Sequence, residues 1–390
     1  MSELERLGEG VMTHKGIGIW ELSIRNWAEN AQLRKWLQFS FYGSVALTLN
    51  TVVLLSSTAA FSQFIPAGVR GANLEEQLDI PLNNGIQGPD REQADFLLRL
   101  GGQAQRRGFY EKAIANWLQA LDLYQQIGDL EGEGLTYEYL GVAYAKLGRY
   151  LKAEDAMRRR VGIARTRQDF QGQIYGLNNL GTVLLESGNP EAAQETFEEA
   201  LKIARSVENQ PGEGLSLSNL GLAAAAKGNY YEAIKRYETA LGFRSLSDNP
   251  LGEANTRNNL GDVNRAVKRY RDALIAYQGG LRASRDSRDI PNQFRALRGL
   301  VQSYQALGQY PVAIKILEQH KTLAQQQSNL REQLISLRYA AEINKATGNL
   351  ANARAFYEAA IALAGALGET QEQAFLRNDL AQIIYALPRL

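Results

Sequence analysis

The chain has no cysteine and only two histidines in 390 residues. The first absence excludes disulfides, thiolate nucleophiles, cysteine zinc sites and a lipoprotein anchor, and leaves the redox compartment open. The second leaves His14 and His320 far apart in sequence, with no partner for a metal site or a histidine-based triad. Excess charge of one sign is also missing: 43 Lys and Arg balance 42 Asp and Glu. A net charge of +1 creates no field that would draw nucleic acid or an acidic surface. The basic runs Arg158-Arg159-Arg160 and Lys268, Arg269, Arg271 lack the interleaved aromatics on which bases stack. Arg158 to Arg160 read as side chains reaching into solvent. No phosphate-binding glycine loop is present. Gly132-Glu133-Gly134 and Gly212-Glu213-Gly214 lie 80 residues apart and read as repeat loops. Carboxylates are many, and none is singled out by an apolar setting. The expectation is a chain that is not an enzyme, with no cofactor, no metal and no nucleic-acid partner.

What is present is a beat of 40 residues. Leu100-Gly101, Leu140-Gly141, Leu180-Gly181, Leu220-Gly221 and Leu260-Gly261 keep it; Leu300, Ala340-Ala341 and Leu380-Ala381 blur it. A row of alanines runs Ala113, Ala153, Ala193, Ala233, Ala273, Ala313, Ala353. Four residues on, a bulky row runs Trp117, Met157, Phe197, Tyr237, Tyr277, Leu317, Tyr357. A small row follows through Ala120, Ala200, Ala240, Gly280 and Ala360, broken by Arg160 and His320. His320 reads as a replacement at a looser packing point. A fixed period of this length is the signature of a stacked repeat.

Each beat holds two helical stripes. Ile174, Leu177, Leu180 and Leu184 form one, and Ala193, Phe197, Ala200, Leu201 and Ala204 the other. Between them Ser187-Gly188-Asn189-Pro190 breaks the helix, with Pro190 suited to a first turn. Gly108, Gly148, Gly188, Gly228, Gly308 and Gly348 recur at this place, where a helix end wants left-handed dihedrals. Lys268 replaces glycine in the fifth copy and predicts a less regular turn. The Leu-Gly glycines are expected to face the alanine row, bringing two backbones close, while the bulky row fills the space between pairs.

With Leu180-Gly181, Ala193, Phe197 and Ala200 at their places, the chain resembles a tetratricopeptide repeat protein. Leu177 stands where that motif usually has tryptophan, and the late proline is missing. The repeat is 40 residues rather than the common 34. This variant is similar to the repeats of kinesin light chain and of cyanobacterial scaffold proteins. The resemblance implies an all-α, right-handed solenoid of about seven helix pairs over 91–388 with a C-terminal capping helix. It also implies a protein-binding scaffold, or a regulatory adaptor that recruits a signalling partner.

The N-terminal part reads as a leader over 1–36, a hydrophobic segment over 37–61 and a linker over 62–90, with Asp90 as N-cap of the first repeat helix. No charge occurs between Leu37 and Val69. The 23 residues from Phe39 to Phe61 are long enough for a membrane anchor, though Ser, Thr and Asn weaken it. A signal peptide cleaved near Ala59 or Ala60 is the second reading, and a buried helix the third. Trp20, Trp27 and Trp36 fit a membrane edge or a short amphipathic helix. Arg25, Arg34 and Lys35 precede the segment and only Arg70 follows closely. The positive-inside rule therefore places the repeats outside the cytoplasm, in a periplasm or thylakoid lumen.

The resemblance implies that the first helix of each pair, helix A, lines a concave groove. Asn179, Asn219 and Asn259 recur in it. Such recurrence favours a hydrogen bond between helices, with recognition of a bound peptide backbone as the alternative. Neighbouring positions vary and are expected to face the partner: Tyr175, Asn178, Ser218, Asn255 and Asn258 as a neutral surface. Arg265, Arg295, Arg298, Arg338 and Lys345 follow as a basic one, tempered by Asp262 and Glu342. Arginine forks suit carboxylates, so an extended or acidic segment is expected there. Arginines paired with local acids are the other reading.

Overall fold

The computed structural model describes residues 88–386. The leader, the hydrophobic segment, nearly all of the linker and the end of the solenoid expected to reach residue 388 lie outside the described residues. Among those described, no helix is long and apolar enough to cross a membrane.

Fifteen helices follow one another, with no strand among the described residues. They are α1 (Pro89–Arg106), α2 (Tyr110–Gln126), α3 (Leu130–Lys146), α4 (Tyr150–Thr166), α5 (Phe170–Glu186), α6 (Pro190–Ser206), α7 (Gln210–Ala226), α8 (Tyr230–Leu246), α9 (Pro250–Ala266), α10 (Tyr270–Asp286), α11 (Ile290–Ala306), α12 (Tyr310–Gln326), α13 (Leu330–Ala346), α14 (Leu350–Ala366) and α15 (Thr370–Ala386). Seven pairs and a last single helix result. Odd numbers are helices A and even numbers helices B.

From α2 onward every helix has 17 residues and every connection three, so the 40-residue beat is two equal half-beats. The turn itself is the same throughout. Its middle residue has positive φ at Gly108, Gly128, Gly148, Gly188, Gly228, Gly308, Gly348 and Gly368. Gln168, Glu208, Asp248, Lys268, Arg288 and Ser328 adopt the same conformation. At Lys268 φ is 61° and the reverse bond from Arg269 N to Asn264 O is 2.8 Å, so this turn is as regular as the glycine ones. The expected irregularity is absent because the surrounding bonds impose the dihedral on lysine. Lys268→Gly should therefore stabilise the chain by about 0.5–1 kcal/mol, the strain released being larger than the entropy lost. A urea midpoint that does not rise would show that the turn is relaxed.

The first helix starts differently from expectation. Gly88 is its N-cap and Pro89 its first residue, which moves Asp90 into the first turn. Proline fixes the helical φ one residue early.

Helices B are amphipathic: α6 buries Ala193, Phe197, Ala200, Leu201 and Ala204, the expected stripe. Helices A are not. The middle of α5 is buried from Gly176 to Leu185 without a break. Odd helices touch odd helices across repeats, from α5 through α13 in series, while no successive even helices come equally close. The odd helices are thus the inner row, hemmed in on more sides.

The Leu-Gly glycine does not face the alanine row. A Cβ on Gly181 would lie 2.4 Å from the Phe197 ring, one on Gly141 2.6 Å from Met157, and one on Gly221 2.6 Å from Tyr237. Each glycine makes room for the bulky residue of its own pair. The next helix A closes the other side: Tyr139 stacks on Trp117 at 5.2 Å, and Gly299 makes room for Tyr277. The Gly-Glu-Gly segments are not loops but the first turns of α3 and α7. There a Cβ on Gly132 would meet the Tyr124 ring at 2.3 Å.

Candidate functional site

The inner row carries a seam of polar side chains that joins each helix A to the next. Asn179 Nδ2 donates to Glu138 Oε1 at 3.0 Å. Asn178 Nδ2 donates to Ser216 Oγ at 2.9 Å, and its Oδ1 accepts from Asn219 Nδ2 at 2.9 Å. Ser218 and Thr256 share a hydroxyl bond of 3.1 Å. Asn258 Nδ2 reaches Asn292 Oδ1 at 3.0 Å, and Asn292 Nδ2 reaches Asn255 Oδ1 at 2.9 Å. Arg295 Nη2 then donates to Asn259 Oδ1 at 2.6 Å and to Asp262 Oδ2 at 2.5 Å. Partners 33 to 41 residues apart are one repeat apart, and the period that stacks the helices also pairs these side chains.

This geometry corrects much of the expected partner surface. Asn178, Ser218, Asn255 and Asn258 are at most 8% exposed and hold the repeats together rather than face outward. Asn179, Asn219 and Asn259 are at most 5% exposed, and their amides are engaged between helices. Of the two readings of that row, the hydrogen bond between helices is the one the geometry displays. Tyr175 stays half-buried.

The basic half is not an open cluster of cations. Arg295 is bound to Asp262, Arg298 to Glu332, and Arg338 to Glu372 at 2.8 Å with Glu342 at 3.5 Å. Burial pushes the Glu342 carboxyl up, while Arg338 pulls it back. Lys345 Nζ donates to Gln382 at 2.9 Å. Arg265 lies half-buried beside Tyr277 and Asp262. The seam therefore changes character along its length, neutral amides and hydroxyls from α5 to α11 and ion pairs from α9 to α15, the two kinds meeting between α9 and α11.

Exposure changes with it. In α5 and α7 the inner positions Thr182 and Leu222 are 3% and 2% exposed. In α11 and α13 Arg298, Gln302, Gln305, Arg338, Glu342 and Lys345 are all half-exposed.

Two sites escaped the sequence reading. Arg158 and Arg159 do reach solvent, pairing with Glu154 and Asp155. Arg160 instead is 7% exposed and donates from Nε to Glu138 Oε2 at 3.1 Å. Gly134 and Gly172 leave the slot it fills. Burial pushes the Glu138 carboxyl up, and the Arg160 charge and the Asn179 hydrogen bond act against that. His320 is not at a loose point either. It is fully buried between Glu332 and Ser336.

Among the described residues no group of three or more His, Asp or Glu is placed to hold a metal ion.

A tetratricopeptide repeat profile matches residues 92–166, 173–246, 212–286 and 252–326, together more than half of the chain. A search of curated proteins returned no match. Among solved structures, the fold is similar to a signal transduction ATPase with numerous domains from Pyrococcus horikoshii, which has a tetratricopeptide repeat sensor. The TM-score is 0.56 at 18% identity, over 73% of this chain and 44% of that one. A Rap protein complexed with competence and sporulation factor gives a TM-score of 0.51 at 14% identity, over 77% of each chain. A Rap conjugation gene regulator in complex with a peptide gives 0.51 at 16% identity, over 81% of this chain and 84% of that one. On the repeat profile and the stack of helix pairs, the chain belongs to the tetratricopeptide repeat family.

Proposed function

We propose that the chain is a non-enzymatic scaffold or adaptor that holds a partner protein segment along the inner helices of its C-terminal half, chiefly α11 and α13. The observation that carries this reading is the change in exposure along the inner row: closed in α5 and α7, half-open at Gln302, Gln305, Arg338 and Glu342. The Rap proteins of similar fold that were solved with peptides lend support. The half-open positions mix amides with paired charges, so an extended segment is read through its shape and main chain as well as through any acidic side chains. The place of action belongs to the same proposal. Repeats outside the cytoplasm, beside a membrane-associated complex, follow from the hydrophobic run at 37–61 and its flanking charges. An intact N-terminus in the membrane fraction supports an anchor. A new one near Ala60 in the soluble fraction supports an exported scaffold.

The binding test compares two tryptophan substitutions, Gln302→Trp on the inner row and Glu195→Trp on the outer face of α6. A partner co-purified with the full chain should bind at least about tenfold more weakly to the first and equally well to the second. Equal binding to both would refute the inner-row reading.

A further inference from the structure

The balance of charge over the whole chain hides a local excess. Turns within pairs lie along one edge of the stack, where a helix A ends and its helix B begins. Around the first two of them, residues 103–113 and 143–153 hold six cations, Arg106, Arg107, Lys112, Lys146, Arg149 and Lys152, and one acid, Glu111. All seven side chains are exposed. Glu111 is already taken, since Arg149 Nη1 donates to its Oε2 at 3.0 Å. Arg106, Arg107, Lys112 and Lys152 have no acid partner among the described residues. Lys152 Nζ lies 5.6 Å from the centre of the Tyr144 ring instead. The same stretch of the third pair, 183–193, carries Glu186 and Glu191 and no cation, so the excess ends there.

Apolar side chains project from the same edge. Leu151 is 86% exposed and Phe109 60%. The stack needs neither of them. At the place of Phe109 the other copies carry only Arg, Asn or Gln, and at that of Leu151 they carry Glu, Tyr, Arg, Pro or Ala. Beside Phe109, Tyr110 and Leu147 help to line a recess of about 560 Å³.

Cations around projecting apolar side chains match an anionic bilayer, whose phosphates meet the first and whose acyl boundary takes the second. Shape decides between this and other anionic partners. A peptide is gripped by walls, and a side chain as exposed as Leu151 has none around it. A bilayer covers a projecting side chain on all sides without a shaped pocket. Nucleic acid would meet the cations equally well, but it stacks on aromatic rings and leaves an aliphatic side chain unburied.

We propose that the edge formed by the turns α1–α2 and α3–α4 docks on an anionic lipid surface, with Leu151 and Phe109 entering the headgroup region and the surrounding cations set against lipid phosphates. The edge uses none of the inner-row residues of α11 and α13, so lipid and a protein partner do not compete.

The chain has no cysteine, so one introduced cysteine places one dye. Leu151→Cys in the full chain, labelled with the environment-sensitive fluorophore NBD, reads this edge itself rather than the hydrophobic run at 37–61. Phe170→Cys is the control, on the opposite edge, where Phe170 is 50% exposed. Vesicles of phosphatidylcholine with about one third phosphatidylglycerol should shift the Leu151→Cys emission to the blue, and vesicles of phosphatidylcholine alone should not. Arg107→Glu with Lys112→Glu should weaken the vesicle titration at least about tenfold, as should about 0.5 M salt. Both positions are exposed, so the fold is kept. An equal shift on phosphatidylcholine alone, an equal shift from the Phe170→Cys label, no effect of the charge reversals, or a response to polyglutamate or duplex DNA in place of vesicles overturns the proposal.

Discussion

Glu138→Ala should destabilise the stack by about 3–5 kcal/mol, read from the urea midpoint, because it strands a guanidinium in a site closed to water. Arg160 is 7% exposed and Glu138 1%. The next acid within reach of Arg160 is Asp169 at 3.8 Å, whose other oxygen caps α5. Asn179 would lose its acceptor in the same stroke. An exposed pair on the same helix sets the scale: Glu154→Ala, which frees Arg158, should cost less than about 1 kcal/mol. The double replacement Glu138→Ser with Arg160→Ala gives each row a residue it carries elsewhere, as at Ser218 and Ala200. It should lie within about 1 kcal/mol of the native chain, since removing both ions also removes their desolvation. A single variant no worse than Glu154→Ala would mean that the pair is not what holds α3, α4 and α5 together.

Tyr277→Ala should cost a similar 3–5 kcal/mol, for a different reason. The ring is fully buried between two glycines, Gly261 on the helix before it and Gly299 on the helix after. Backbones shaped around a ring collapse poorly when it is removed, and the cavity remains. The hydroxyl adds a 2.5 Å bond to Asp262, so Tyr277→Phe isolates the polar part, expected at about 1–3 kcal/mol. Gly299→Ala tests the same contact from the other side. A Cβ there would lie 2.3 Å from the ring, and the expected loss of about 1–3 kcal/mol outweighs the gain of about 1 kcal/mol in helix propensity. Hydrogen exchange over α9 to α11 reads all three, and faster exchange confined elsewhere would contradict the packing.

The helix pairs were legible because burial repeats with the sequence. Leu180, Ala193, Phe197 and Ala200 recur at fixed steps and are all buried. The half-beat was harder to see. Glycine marks most turns after helices A, whereas Gln168, Glu208, Asp248, Arg288 and Ser328 take the same dihedral after helices B without announcing it. The seam was misread by a rule that a varying position is free. Asn178, Ser218 and Asn258 vary because each pairs with a neighbour that varies too. The two buried polar sites left a signal in coincident breaks. Arg160 breaks the small row where Glu138 enters a row otherwise held largely by Asn, Ser and Arg. His320 breaks it where the row Gly132, Gly172, Gly212, Gly252, Asn292 reaches Glu332. A basic side chain in one row and an acid in another, one helix apart, is a pair waiting to be read.

The three-residue turns also decide where this chain can be divided. Asn209 closes the end of α6 through its backbone N–H on Ala204 O at 2.8 Å, and opens α7 by accepting from Gly212 N at 2.8 Å. Asp129, Asp169, Asn249, Asp289 and Asn329 hold the same double post between a helix B and the next helix A. Most turns within a pair, at Phe109, Arg149, Asn229, Arg269 and Gln309, have no such side-chain cap. The segment that can be duplicated, removed or transplanted with every cap intact therefore runs from one helix B through the following helix A. Its ends fall at turns such as Gly108 and Gly148, half a beat out of phase with the motif by which the repeat is recognised.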